Sequence, residues 1–137
     1  TLSDQALLGL VASIVAIYFG ILKQQIESDK LFKELFESFN EKYDISYNDI
    51  FNRLRDGAKI LSSEDRLKVI DYFNFCAEEY LWYKKGRVPL DVWKAWKRGI
   101  LYNINIPLIK QLYLKEVASA EVKASYYGLV EELAIKP

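Results

Sequence analysis

The sequence contains no histidine, no methionine, one cysteine (Cys76) and three prolines in 137 residues. Without imidazole, catalytic schemes that use it as base or nucleophile are excluded, together with most zinc sites. A single thiol excludes an intrachain disulfide framework and fits a reducing compartment. Nineteen Lys and Arg balance nineteen Asp and Glu to a net charge of zero. The strong basic excess of a nucleic-acid-binding domain is therefore missing, and nucleic acid is not an expected partner. Gly-rich phosphate loops, clustered metal ligands and nucleophile elbows are missing too, so neither a cofactor nor a metal site is expected. Period-2 alternation is nearly absent, as are repeats and long Gly/Ser linkers, which points to the all-α class.

What is present is apolar: 51% of the chain is hydrophobic, ample for one core, but it is unevenly spread. Residues 6–22, ALLGLVASIVAIYFGIL, form a 17-residue run without a charge. As a helix this run covers about 25 Å, slightly short of the ~30 Å hydrocarbon layer, and it can extend toward Leu2 with Asp4 and Gln5 at the interface. No Lys or Arg precedes the run and no small-residue cleavage site follows it, so a secretory signal fits poorly. The first basic residues, Lys23, Lys30 and Lys33, all follow it, and the positive-inside rule then places the remainder in the cytoplasm. The expected layout is a single-pass inner (cytoplasmic) membrane protein, with residues 1–23 as anchor and residues 24–137 as a helical cytoplasmic domain. The alternative is a soluble cytoplasmic bundle with this helix, apolar on all sides, at its centre. Ala12, Ala16 and Gly20 recur every four residues, and Gly9 with Ser13 makes a second such pair. Small residues at this spacing let helices approach closely, a basis for self-association into a homo-oligomer.

Beyond the run, Ile26, Phe32, Leu35, Phe36, Phe39 and Tyr43 fall at helical spacing, and neither Pro nor Gly lies between Gly20 and Asp44. The segment DISYND reads as a break, with Ser46 as N-cap and Asp49 three residues on, opening a short helix that ends near Gly57. Ser62 or Ser63, followed by Glu64 and Asp65, is a stronger start signal for a helix reaching about Lys85. Its apolar residues cover two faces, which marks it as the central helix. Gly86 suits its C-terminal cap, and Pro89 and Pro107 mark the starts of two further helices. The sum is an N-terminal transmembrane or long apolar helix continuing into a small bundle of about four to five helices.

Chemistry is sparse. Glu79 shares a helix face with Tyr72, Cys76 and Tyr83, so its carboxylate is expected to be partly buried, and a buried carboxylate needs a partner or takes up a proton. That suits a general acid or base, or equally a structural hydrogen bond. With no second convergent carboxylate and no nucleophile motif, no catalytic residue is assigned. Residues 84–98 hold six basic side chains against one acid, interleaved with tryptophan. Trp82, Lys84, Lys85, Arg87, Trp93, Lys94, Trp96, Lys97 and Arg98 thus form a candidate surface for anionic lipid or a protein partner. Residues 24–50 carry seven acids against three Lys, so the two segments can instead pair internally, with the indoles in the core.

The block VIDYFNFCAEEYLWYKKGRVPLDVWKAWKRGI, residues 69–100, resembles an uncharacterised family of small bacterial membrane-anchored helical proteins. The shared features are YFN before Glu78 and Glu79, the YKKG turn from Tyr83 to Gly86, and the W-x-x-W-x-x-G of Trp93, Trp96 and Gly99. The resemblance implies an anchor-plus-bundle layout and supplies no activity. The function expected from the sequence is a non-enzymatic, membrane-anchored interaction module. A soluble bundle that oligomerises through its apolar helix and a small membrane-linked enzyme using Glu79 stand as alternatives.

Overall fold

The computed structural model describes residues 3–137. Among these the regular structure is all helix, with no strand, in the order α1 (Asp4–Ser46), α2 (Asn48–Arg55), α3 (Ser63–Lys84), α4 (Leu90–Ile104), α5 (Pro107–Val117), α6 (Ala120–Ala124) and α7 (Leu129–Leu133). The all-α expectation of a long apolar helix followed by a bundle is what the chain forms. Two compact units divide between Phe36 and Glu37, within α1.

The first unit is the N-terminal part of α1, which no glycine or proline interrupts after Gly20. From Ala6 to Ile21 its apolar side chains stand exposed, including Leu8 at 70% and Ile17 at 63%. One 18-residue window of α1 has a mean hydropathy of 2.2 with no residue buried, so this helix is long and apolar enough to cross a membrane. Polar groups in it are satisfied locally: the Ser13 hydroxyl donates to the Gly9 carbonyl at 2.9 Å, one turn back along the same helix.

The second unit begins with the last turns of α1, which supply Phe39 and Tyr43. The expected cap at Ser46 does not form. Ser46 stays helical, and Tyr47 occupies the boundary with no side-chain cap. Tertiary packing overrides the local signal here. The buried Tyr47 ring lies 5.3 Å from both Tyr72 and Phe75, and its hydroxyl donates to the Asp71 carboxylate. Elsewhere the local signals hold. Ser62 caps α3 by accepting from the Asp65 amide at 3.0 Å, with Glu64 and Asp65 in the first turn. At the other end Gly86 takes a left-handed φ of 75°, its amide donating to Tyr83 O at 2.9 Å and that of Arg87 to Trp82 O at 3.0 Å. That paired closure satisfies two orphan carbonyls and needs a residue without a Cβ penalty.

The α3 helix is central because it packs against α4, α5 and α7. Its buried side chains are Asp65, Val69, Tyr72, Phe73, Phe75, Cys76, Ala77 and Glu79, too broad an arc for one neighbour. The core is strongly aromatic: Phe51 lies 4.7 Å from Tyr72 edge to face, Phe73 5.4 Å from Tyr113, and Phe39 5.3 Å from Phe75. Arg53 ties α2 to the start of α3 with a two-pronged contact to Asp65, at 3.0 Å on each arm. That guanidinium holds the Asp65 carboxyl below the usual carboxylate range.

Candidate functional site

The basic aromatic segment does not form one surface. Trp93 is 2% exposed, stacked on Tyr83 at 5.5 Å, and its indole N–H donates to Glu132 Oε1 at 3.3 Å. Burial removes it from any contact with lipid or partner. Lys97 pairs with the same carboxylate at 3.0 Å. Lys84 donates to Tyr127 O at 2.8 Å, and Lys85 lies 5.2 Å over the Trp82 ring. Arg87, Lys94 and Arg98 stand exposed, whereas Trp96 is half-buried 5.6 Å from Phe39. Within the second unit, Trp93 and Lys97 of this segment thus share the Glu132 carboxylate of α7. In the first unit, Gly9, Ala12, Ser13, Ala16 and Gly20 are all exposed, like the larger apolar residues between them.

The structure assembles a different feature within the second unit. A cleft of about 270 Å³ lies among the last turns of α1, α2, α3 and α4. Phe39, Phe75 and Trp96 line its apolar wall, and Arg55, Asn103 and Glu79 supply its polar groups. Asn103 is buried and fully used: its Nδ2 donates to Tyr43 Oη and Tyr72 Oη, each at 3.0 Å, and its Oδ1 accepts from the Arg55 guanidinium. Arg55 also lies 4.3 Å over the Tyr102 ring and donates to Asn52 Oδ1 at 3.4 Å. All these partners are neutral, and its buried Nε has no acceptor.

Glu79 lines the cleft at 5% exposure. Burial alone pushes its carboxyl well above the ordinary range, with no cation or donor among the causes. Burial likewise raises the Tyr72 hydroxyl and the Cys76 thiol, so both remain protonated and inert at neutral pH. Among the described residues no group of three His, Cys, Asp or Glu side chains converges to hold a metal ion.

Glu79, Trp82 and Trp96 stand out in the sequence, whereas Arg55 and Asn103 do not. Asn103 sits in the final turn of α4 beside the Asn105–Pro107 boundary, where a polar residue reads as loop chemistry. Arg55 reads as a basic residue favourably placed at the end of α2. Only their convergence in space reveals them. Compared with protein-family models, curated proteins and solved structures, the chain matches none.

Proposed function

We propose that this protein is a non-enzymatic helical module anchored in the inner (cytoplasmic) membrane by residues 6–22, with the domain of residues 37–137 in the cytoplasm. The observation that carries this reading is the exposed apolar window of α1, which has a mean hydropathy of 2.2 and no buried residue. Leaving large aliphatic side chains in water forfeits roughly 1.5–3 kcal/mol each, and a soluble monomer does not leave so long a stripe uncovered. The charges support the orientation. Lys23, Lys30 and Lys33 follow the apolar run, whereas only Asp4 and neutral polar residues adjoin its start. Absence of imidazole and of an activated nucleophile supports a binding role, because Glu79 is the one acid in the cleft and has no reacting partner there.

Membrane fractionation of the tagged full chain tests the reading. The protein is expected to stay in the pellet after an alkaline carbonate wash, with its C-terminus protected from external protease. Release of the chain into the wash overturns the anchor. Cross-linked oligomers in that soluble fraction would favour instead a bundle assembled through the apolar helix.

A further inference from the structure

The cleft holds an acid and a base that do not meet. Arg55, in α2, is bound by Asn52, Asn103 and the Tyr102 ring, and no carboxylate balances it. Among the described residues none forms an ion pair or a hydrogen bond with the carboxyl of Glu79, in α3. The hydroxyl of Tyr72, bonded to Asn103, marks the Arg55 end of the cleft. Glu79 lies seven residues further along the same face of α3, about 10 Å by helical rise. Between these ends run Phe39, Phe75 and Trp96, whose faces favour alkyl chains and organic cations alike. A lone carboxylate is too few ligands for a hard divalent cation.

We propose that this cleft binds a small linear zwitterion, with its ammonium on the Glu79 carboxylate, its apolar stem against Phe39, Phe75 and Trp96, and its anionic end at Arg55. Each end of such a ligand supplies the charge that the protein leaves uncompensated. Burial raises the Glu79 carboxyl, and an arriving ammonium favours its carboxylate form, so any proton that the ammonium displaces goes to solvent. The other titratable groups around the cleft are Tyr43 from α1, Arg55 from α2, Tyr72 and Cys76 from α3, and Tyr102 from α4. Against neighbouring turns, α5 sets Tyr113 beside Phe73, and α7 sets Glu132 on Lys97 and Trp93. Glu79 is the one carboxyl among the lining residues, so the released proton is its own.

Isothermal titration of the full chain in nonionic detergent tests the proposal, using 6-aminohexanoate and 8-aminooctanoate as zwitterions and hexylamine and hexanoate as their single-charge counterparts. At least one zwitterion is expected to bind about tenfold or more tightly than either counterpart, with proton release that grows as the pH is lowered toward the ordinary carboxylate range, read from heats in buffers of different ionisation enthalpy. Glu79→Gln, which keeps the shape of the neutral acid, is expected to abolish proton release and weaken binding by a similar factor. Arg55→Gln should reduce the zwitterion to the affinity of the amine. Glu79→Asp retracts the carboxylate by one methylene and should shift the preference toward the longer zwitterion. No binding by either zwitterion, equal binding by hexanoate, or unchanged affinity in Glu79→Gln overturns the proposal.

Discussion

Replacing Glu79 by glutamine should alter how the stability of the helical domain responds to alkali. In the unfolded chain this carboxyl titrates near its ordinary value of about 4.3. In the fold, burial at 5% exposure raises it well above that. Across the interval between the two values the native state keeps a proton that the unfolded state has lost. Stability therefore falls as pH rises, by about 1.4 kcal/mol per pH unit for one proton, until the folded value is passed and the curve flattens. Glu79→Gln has no proton to lose, so this contribution vanishes while the shape of the side chain is kept. The assay is urea unfolding of the full chain in micelles between about pH 5 and pH 8. Trp82, Trp93 and Trp96 report it, since all the tryptophans lie in the second unit. Asp65 and Glu132 do not confuse the slope, because Arg53 and Lys97 respectively hold them below the ordinary range, outside that interval. The wild type should lose stability relative to the variant as pH rises above the unfolded value, and the difference should level off once the folded value is passed. Parallel curves would refute the reasoning, since they would mean that Glu79 is charged and solvated in the fold.

Other substitutions probe separate parts of the structure. Asn103→Leu removes three hydrogen bonds and leaves the buried Tyr72 hydroxyl and the Arg55 guanidinium without their partner; chemical denaturation should show a loss of about 2–4 kcal/mol. Tyr113→Phe deletes a buried hydroxyl that has no acceptor and that burial pushes up to about 12; thermal unfolding should show no loss, and a gain of up to about 1 kcal/mol. Asp65→Asn should destabilise the domain at neutral pH and converge with wild type in acid. The stability from the depressed Asp65 carboxyl is present above its unfolded value and vanishes as pH falls through the folded one. Ile14→Arg places a charge mid-run at a cost of about 2.5–3.5 kcal/mol to insertion, and the carbonate-soluble fraction should rise.

Periodicity and punctuation made the helices legible. Ser62 with Asp65, Gly86 and Pro107 each act within one turn of the chain, so sequence neighbours alone determine what they do. The α1–α2 boundary resisted the same logic because its cause is remote. Tyr47 ends the helix by engaging Asp71 and the rings of Tyr72 and Phe75, some two dozen residues along the chain. The cleft resisted it further. Its contacts join Arg55 to Asn103, 48 residues apart, and Asn103 to Tyr43, 60 apart. Glu79 was accessible from sequence because helical spacing alone put it on a face with Tyr72 and Cys76. What faces it from α1 and α4 was not, since that depends on how helices cross.

The zero net charge takes on a different meaning once the pairs are located. Arg53 meets Asp65, Lys97 meets Glu132, and Lys42 approaches Asp71 at 3.7 Å, each joining two different helices. In these cases opposite charges lie close enough to neutralise one another where they help to hold helices together. Against that pattern the cleft is an exception: Arg55 and Glu79 share it, are flanked by aromatic walls, and stay unpaired. Keeping an acid buried without a cation and a guanidinium on neutral partners costs stability that direct pairing would have avoided. A structural cleft gains nothing from that separation. A cleft that receives a ligand charged at both ends gains by it, because the two uncompensated groups then set the ligand's length and its polarity together.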